Sequence, residues 1–240
     1  MGAFGAEQGE AAFRPVRPPG SVPEREFLQR CVRCGECFRA CPNDAIQPLG
    51  FQQGLEGIWT PHVVADWSGC EPSCANCGQI CPTGAIRALP LEEKRAARIG
   101  LAVVDRGACL PYAGVEECRL CVDECQGAGY DAIEFVRVGT ELDARGQPIE
   151  GSGFLAPVVL AEKCVGCGLC QTRCGAINAA QKGLLGETAI RVCAGEGRED
   201  RLSTGSYAAL RQQEADRRRA RQKTLHQGLD DGYLPEGLVP

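Results

Sequence analysis

Short stretches rich in Val and Ile, bounded by Gly, Pro and Asp, are the main hydrophobic pattern of this chain. Such stretches are typical of short β-strands. They predict strands over 58–66, 100–105, 132–138, 154–161 and 188–193. Residues 139–153, rich in Gly, lie between two of these stretches and predict a hairpin loop.

Three further segments have helical character. Residues 24–30 form one, and residues 90–99 form a second, bounded by Pro90 and Gly100. Ser206 is a suitable N-cap for a third helix over 207–227, in which apolar positions are sparse. A helix that is polar all round is usually solvated. The alternative is a basic docking surface for an acidic partner, formed by Arg211, Arg217, Arg218, Arg219, Arg221 and Lys223.

Composition limits the kind of core that the chain can form. Its 240 residues are 5% aromatic and include 31 Gly and 15 Pro, so large side chains for a conventional core are few. The net charge of −5 argues against a nucleic-acid or anionic-membrane surface. No apolar run approaches the ~20 residues that span a bilayer, and the first residues lack an export-signal pattern. We therefore expect a protein of the cytoplasm or peripheral to the cytoplasmic membrane, with a periplasmic location as the alternative.

Cysteine is the residue type that changes this picture. Sixteen of the 17 cysteines fall into four tight runs, and the first and last runs have the spacing C-x2-C-x2-C-x3-C. Bacterial ferredoxins bind [4Fe-4S] clusters with this spacing. Disulfides do not suit an odd number of closely spaced cysteines, and a structural zinc site is usually built from two separated C-x2-C pairs. The runs therefore predict four [4Fe-4S] clusters, with a structural zinc protein as a weaker alternative.

In a two-cluster ferredoxin, the fourth cysteine of each run binds the cluster of the other run. Runs three and four have a strand before them, a hairpin between them and a strand after them, so we pair three with four and one with two. The competing arrangement nests runs two and three between runs one and four. Pairing predicts four ligand sets: Cys31, Cys34, Cys37 and Cys81; Cys70, Cys74, Cys77 and Cys41; Cys109, Cys118, Cys121 and Cys174; and Cys164, Cys167, Cys170 and Cys125.

Small residues near the runs fit close approach to a cluster. Gly can adopt left-handed backbone and has no side chain in the way, which suits Gly35, Gly78, Gly166 and Gly168. An Ala-Ile pair follows each run and is expected to approach and cover the cluster. The four pairs are Ala45–Ile46, Ala85–Ile86, Ala132–Ile133 and Ala176–Ile177.

Run three contains the least regular ligand. Eight residues separate Cys109 from Cys118, and the first two cysteines of the regular runs are only three positions apart. Without Cys109, the site would hold a three-iron cluster or take Cys193 as a ligand. Cys193 stands outside all four runs, and we otherwise expect it to be a buried free thiol.

Several segments together resemble one known family. They are RPPGSVPEREFLQRCVRCGECFRACP (17–42), CGQICPTGAI (77–86), LEEKRAARIGLAVVD (91–105) and CLPYAG (109–114). These segments are similar to the NapG/MauM ferredoxin-type family, especially to versions fused behind a NapH-like membrane domain. The resemblance implies that the sixteen cysteines bind clusters. It also implies electron relay between the quinone pool and a redox partner, with a NapH-like membrane quinol dehydrogenase as a candidate partner.

The sequence departs from that family in three ways. It has no twin-arginine signal and no membrane domain, and Gln126 and Gly175 stand where Pro42 and Pro82 follow the first two runs. The first two departures suggest a fragment or a soluble descendant. The third makes the clusters of runs three and four less secure than those of runs one and two.

The predicted fold is α+β, with two bacterial 2[4Fe-4S] ferredoxin-like units made of short β-hairpins and short helices, followed by a polar C-terminal helix. The expected domains are an N-terminal linker over 1–22, unit 1 over 23–90, unit 2 over 91–202, and a helix and tail over 203–240. The predicted function is electron transfer without a catalytic site, because no nucleotide-binding or nucleophile motif is present. The alternative is an electron-wiring subunit of a larger oxidoreductase.

Overall fold

The computed structural model describes residues 13–230, with side chains over 13–223. The helices are α1 (Glu24–Arg30), α2 (Glu36–Arg39), α3 (Asn76–Ile80), α4 (Leu91–Ala96), α5 (Leu120–Gly127), α6 (Leu169–Cys174) and α7 (Tyr207–Asp230), with a 3-10 turn at Phe51–Gln53 and a π-helix at Gly175–Gln181. The strands are β1 (Ile46–Pro48), β2 (Pro61–Val63), β3 (Leu101–Val104), β4 (Ile133–Val138), β5 (Phe154–Val159) and β6 (Ile190–Cys193).

The described strands form three antiparallel pairs. β1 pairs with β2 and β4 with β5, each as a hairpin, whereas β3 pairs with the distant β6. In unit 1, an isolated bridge between Ser21 and Ile86 stands where unit 2 has the β3–β6 pair. Each unit therefore has an outer pairing that encloses an inner hairpin and short helices, α1 to α3 in unit 1 and α5 and α6 in unit 2. The α+β architecture predicted from the sequence is confirmed, with ferredoxin-like units.

The predicted elements are found in shortened form. Every predicted strand contains a strand of the structure, the predicted helix 24–30 is α1, and residues 139–153 connect β4 to β5. The helix predicted over 90–99 ends at Ala96. Strand β1 was not predicted, because its three residues, including Gln47 and Pro48, are too few to show an alternating pattern.

Residues 13–22 differ from the linker expected there. Arg17 and Val22 are fully buried in unit 1. Arg17 donates hydrogen bonds to Thr60 Oγ1 at 2.8 Å and to the Pro61 carbonyl at 2.7 Å, and it pairs with Glu24 at 2.6 Å. A buried guanidinium is tolerated when its donors find partners, and those partners hold this segment on the unit.

The C-terminal helix is anchored to the rest of the chain at its first turn. Tyr207 is wholly buried against Leu89 and Ala97. Ser206 Oγ accepts a hydrogen bond from the Ala209 amide at 2.9 Å, as expected of an N-cap, and donates one to Glu93 at 2.6 Å. Side chains 216–223 are exposed, so this part of α7 is the solvated helix that the sequence predicts. A docking role for its basic side chains stays a prediction.

Within residues 13–230, no helix has both the length and the apolar character needed to cross a bilayer.

Candidate cluster-binding sites

Four short helices carry or precede the predicted ligands. Helices α2 and α6 each begin after a glycine in the left-handed conformation, Gly35 at φ 80° and Gly168 at φ 86°. Arg33 at φ 58° holds the left-handed position in run one that Gly166 at φ 72° holds in run four. These conformations curl each C-x2-C-x2-C loop so that its three cysteines turn toward a common centre.

Gly78 is needed for close packing and not for a left-handed backbone conformation. It lies within α3, and a Cβ at this position would be only 2.1 Å from the carbonyl oxygen of Arg87. The absence of a side chain therefore allows α3 to approach the segment that follows Cys81. Gly78 thus allows two backbone segments to pack closely, and its own φ is not positive.

Cysteines of runs one and two converge on a first cavity of about 20 Å³. Phe27, Ile86 and Trp59 also line it. We call this cavity site 1, and its cysteines are Cys31, Cys34, Cys37 and Cys81. The structure thus brings the fourth cysteine of run two to the first three of run one.

Two cavities of the same size, about 20 Å³ each, occur in unit 2. Site 3 is lined by Cys109, Cys118, Cys121 and Cys174. Site 4 is lined by Cys125, Cys164, Cys167 and Cys170. Runs three and four therefore exchange their fourth cysteines, and Cys109 lies with the other cysteines of its run.

The remaining predicted ligands lie around what we call site 2: Cys41, Cys70, Cys74 and Cys77. Burial raises the pKa of the Cys70 thiol, nearby Lys94 opposes that shift, and the negative charges of Cys41 and Cys74 reinforce it. Burial also raises the pKa of Cys77, with Cys70 and Cys74 as the next contributors. The side-chain amide of Asn76 also donates to the Ala40 carbonyl at 3.3 Å, so the end of run one, with Cys41, lies beside run two, as the paired arrangement predicts.

Electrostatics within the sites favour a positively charged occupant. Burial raises the pKa of Cys37 to about 12, and the neighbouring thiolates of Cys31, Cys34 and Cys81 add to the shift. At site 3, burial and the three neighbouring cysteines raise the pKa of Cys121 to about 12. Four thiolates cannot be crowded in a buried pocket without compensation, and an iron–sulfur core supplies cationic iron to which thiolates bind directly.

Backbone N–H groups point at the sulfurs, as cluster binding requires. The amide of Ala132 lies 3.3 Å from Cys125 Sγ, and the amides of Ala102 and Ile86 lie 3.5 Å from the sulfurs of Cys164 and Cys81, respectively. Such N–H···S contacts stabilise negative charge on the ligands and tune the reduction potential.

Asn178 is a site residue that the sequence did not reveal. Its side-chain amide lies 3.5 Å from Cys118 Sγ and 3.9 Å from Cys174 Sγ, so it contacts two cysteines of site 3. Asn178 is 2% exposed and sits on the π-helix after α6. A polar residue four positions after Cys174 was the available signal, but the prediction treated this stretch only as a covering segment.

The fourth Ala-Ile pair is not the one expected. Ala176 is exposed on the π-helix, whereas Ala189 and Ile190 are each 3% exposed in the core of unit 2. Ala189 and Ile190 also line site 3. The π-helix inserts extra residues between run four and its covering pair, so the nearest Ala-Ile pair in sequence is not the structural equivalent.

Cys193 is half-buried and not fully buried as expected. It lies on β6 opposite Leu101 and lines a cleft that includes His62 and Arg191, away from the cysteines of site 3. Cys193 is therefore not positioned to replace Cys109 as a ligand of site 3.

The shape of each site suits a multi-atom cluster. Among residues 13–230, no group of three or more His, Cys, Asp or Glu side chains is arranged to hold one metal ion. Thiolates bound to a single zinc lie about 2.3 Å from the metal and are therefore close to one another. The cysteines of sites 1, 3 and 4 instead surround a cavity, which fits ligands held apart by a cubane of iron and sulfide.

Comparison with known proteins agrees with this geometry. A family model described as a 4Fe-4S dicluster domain matches residues 30–85, which include runs one and two together. The methylamine utilization ferredoxin-type protein MauM of Methylorubrum extorquens is 36% identical over 195 residues, covering 79% of this chain and 77% of MauM. The ferredoxin-type protein NapG of Escherichia coli is 37% identical over 177 residues, covering 72% of each chain. The ferredoxin-type protein NapF of E. coli is 33% identical over 163 residues, covering 68% of this chain and 82% of NapF. No solved structure matches the chain.

The fold, the cysteine sites and these matches define an iron–sulfur protein of the ferredoxin type, a class whose members transfer electrons. Within that class, the chain belongs to the family of the MauM and NapG ferredoxin-type proteins. The resemblance noted from the sequence is thereby confirmed.

Proposed function

We propose that the chain carries one [4Fe-4S] cluster at each of sites 1 to 4 and works as a four-centre electron carrier without a catalytic site. The observation that carries this proposal is the convergence of four cysteines on each of three cavities of equal size, with the remaining four cysteines of the runs around site 2. Each cluster, when bound, accepts and releases one electron without forming a bond to a substrate.

The protein's own part is to hold, shield and tune these centres. The cysteines fix the position of each cluster, and Ala-Ile pairs such as Ala85–Ile86 and Ala132–Ile133, each residue at most 2% exposed, exclude water from one face. The N–H groups directed at the sulfurs set how favourable the more negative, reduced state is. No proton or atom is transferred in this role, so no general acid or base is needed.

The partners proposed for this role are redox proteins. The relatives NapG and NapF are named as ferredoxin-type proteins, which supports redox proteins as partners. A NapH-like membrane protein at the quinol side is the candidate that the resemblance implies. Site 1 offers one place for contact, because Cys34 is exposed and the rim residues Val32 and Trp59 are 61% and 55% exposed. The location of the protein stays as predicted from the sequence.

An electron-wiring subunit of a larger oxidoreductase is the second candidate. The exposed apolar side chains Phe51, Leu55 and Trp67, between 70% and 78% exposed, favour it because a permanent partner would cover such residues. The position of Cys81 at site 1 speaks against it, because the nested arrangement expected for that class would bring a cysteine of run four there instead.

Anaerobic reductive titration tests the proposal. The purified protein should take up about four electrons per chain and return them to an added oxidant, with electron paramagnetic resonance (EPR) signals of reduced [4Fe-4S] centres appearing and disappearing in step. A chain that holds its full iron and sulfide but takes up no electrons reversibly would contradict the electron-carrier function. Cys193→Ser serves as the control variant and should behave like the unchanged protein.

A further inference from the structure

The two ferredoxin-like units touch through their ligand loops. The backbone N–H of Cys70, from run two, donates a hydrogen bond of 2.7 Å to the carbonyl oxygen of Cys167, from run four. Cys70 belongs to site 2 and Cys167 to site 4. A single hydrogen bond thus joins a ligand residue of one unit directly to a ligand residue of the other.

Glycines make this close contact possible. A Cβ on Gly69 would lie 2.5 Å from the backbone nitrogen of Leu169, and a Cβ on Gly168 would lie 2.6 Å from the Cβ of Ala65. Distances under 3 Å between such atoms require something to move. The loops can therefore approach this closely only because Gly69 and Gly168 have no side chain.

Polar contacts around the loops fix their relative position. Gln171 Nε2 donates to Asp66 Oδ1 at 2.7 Å, and Thr172 Oγ1 donates to the Ala65 carbonyl at 2.7 Å. These two bonds are directional, and together with the Cys70–Cys167 bond they give the contact one defined register.

Inside each unit, the sites are neighbours for a separate reason. Helix α2 carries Cys37 of site 1 and is followed at once by Cys41 of site 2. Helix α5 carries both Cys121 of site 3 and Cys125 of site 4. Sites 1 and 2 therefore take ligands from α2 and from the residues just after it, and sites 3 and 4 both take ligands from α5.

We propose that the sites form one continuous electron path in the spatial order 1–2–4–3, with the Cys70–Cys167 contact as the crossing between the two units. This inference rests on the proposed cluster binding and adds its spatial order. The order differs from the order of the cysteine runs along the chain. One electron that crosses leaves the centre at site 2 oxidised and the centre at site 4 reduced, or the reverse, and no bond forms or breaks.

The order makes sites 1 and 3 the two ends of the path. Cys34 of site 1 is exposed, whereas site 2 and site 4 meet at the contact between the units. Electrons from a one-electron donor protein would therefore enter at one end and leave to an acceptor protein at the other. The inner sites would serve only to pass them on.

A substitution at Gly69 tests the crossing. Gly69→Ala places a methyl group against the backbone of Leu169 and should move the two loops apart, although it replaces no cysteine. Gly186→Ala is the matched control, because a Cβ there has nothing within 4 Å and Gly186 does not have a positive φ. Both proteins are purified anaerobically, and their iron and sulfide contents are measured before reduction.

The readout is the magnetic interaction between reduced centres, measured by EPR line broadening and spin relaxation. Gly69→Ala should keep the iron content of the control and weaken the magnetic interaction between the units, whereas Gly186→Ala should leave that interaction unchanged. An unchanged interaction spectrum in Gly69→Ala at full iron content would overturn the proposed crossing and leave cluster binding intact. Absence of iron and sulfide from the unchanged protein would instead contradict the proposed function itself.

A second pair of variants tests the order without relying on Gly69. Cys74→Ser removes a ligand of inner site 2, and Cys118→Ser removes a ligand of end site 3; both cysteines are half-buried. After loss of site 2, one centre should be magnetically isolated and two should remain coupled. After loss of site 3, all three remaining centres should stay coupled. Three coupled centres in Cys74→Ser, at three clusters' worth of iron, would overturn the order.

Discussion

The side-chain amide of Asn178 lies 3.5 Å from the sulfur of Cys118. The same amide nitrogen lies 3.9 Å from Cys174 Sγ, so it contacts two cysteines that come from different runs. The amide oxygen of Asn178 is buried and has no hydrogen-bond partner among the described residues, so the side chain is oriented by its nitrogen toward the sulfurs. Asn178 is therefore positioned to influence the charge that site 3 can hold.

We predict that Asn178→Leu lowers the reduction potential of one centre. An N–H donor stabilises the more negative reduced state, so its removal makes reduction less favourable. If the bond contributes about 1 kcal/mol to that difference, the potential falls by ~40 mV for a one-electron couple. EPR-monitored redox titration measures the shift.

Asn76→Leu is the control for this prediction. The side-chain amide of Asn76 donates to the Ala40 carbonyl at 3.3 Å and not to a sulfur. Its replacement keeps the backbone N–H that lies 3.5 Å from Cys74 Sγ, so it should shift the potentials less than Asn178→Leu does. Equal potentials for Asn178→Leu and the unchanged protein, at equal iron content, would mean that the amide does not tune site 3.

Ligand and non-ligand cysteines should respond differently to replacement by serine. Cys34→Ser and Cys167→Ser should each lose about one cluster's iron and destabilise the fold, because cluster binding contributes directly to folding. Cys193→Ser should leave the iron content unaltered, since Cys193 lies on β6 outside the four sites. Iron and sulfide analysis of the three variants decides this, and loss of iron from Cys193→Ser would make it a ligand.

Glu24 should stabilise the protein in a way that depends on pH. Burial alone would raise the pKa of Glu24, but hydrogen bonds and charge from Arg17, with Gln53 and Arg201, lower it from 4.5 to about 2. The stabilisation is therefore complete above about pH 4.5 and is lost as the pH falls toward 2. Glu24 is partly exposed, so we expect about 1–2 kcal/mol after allowing for solvent screening.

Urea unfolding of Glu24→Gln against the unchanged protein checks this expectation. The difference in free energy of unfolding should be largest near neutral pH and should shrink as the pH is lowered below about 4.5. Glu26→Gln on the same helix is the control, because Glu26 pairs with Arg30 at the surface and such pairs contribute less than about 1 kcal/mol. A pH-independent difference for Glu24→Gln would show that its ionisation is not the cause.

The anchor of the C-terminal helix gives a fourth prediction. Tyr207 is wholly buried with Leu89 and Ala97, so Tyr207→Ala should lower the free energy of unfolding by about 3 kcal/mol. Truncation after Leu202 should destabilise the protein by a similar mechanism, because it removes Tyr207 altogether. Truncation after Gln222 removes none of these contacts and should have little effect. Equal stability of both truncated chains would contradict an anchoring role for Tyr207.

The sequence predicts the ligand cysteines but not their surroundings. Cysteine spacing is imposed by cluster geometry, so the motif predicts the shared use of Cys41, Cys81, Cys125 and Cys174. In the structure Cys81, Cys125 and Cys174 line sites 1, 4 and 3, and their binding of clusters stays a prediction. The short Val- and Ile-rich stretches likewise marked most strands. Both patterns are local in sequence, so they can be recognised without knowledge of the tertiary fold.

What escaped prediction depends on contacts between distant residues. Arg17 is buried only because Thr60, Pro61 and Glu24 come together around it, and no local pattern in residues 13–22 indicates those partners. The π-helix displaced the covering pair from Ala176–Ile177 to Ala189–Ile190 and brought Asn178 to the sulfurs. Rules based on the spacing of cysteines along the sequence cannot predict an inserted π-helix.

The most direct test of the account is the iron and acid-labile sulfide content of the anaerobically purified chain. Four [4Fe-4S] clusters require about sixteen iron and about sixteen sulfide per chain. We predict this content of iron and sulfide, together with EPR signals of reduced [4Fe-4S] centres after reduction. Zinc without sulfide, or about eight iron per chain after full reconstitution, would contradict it.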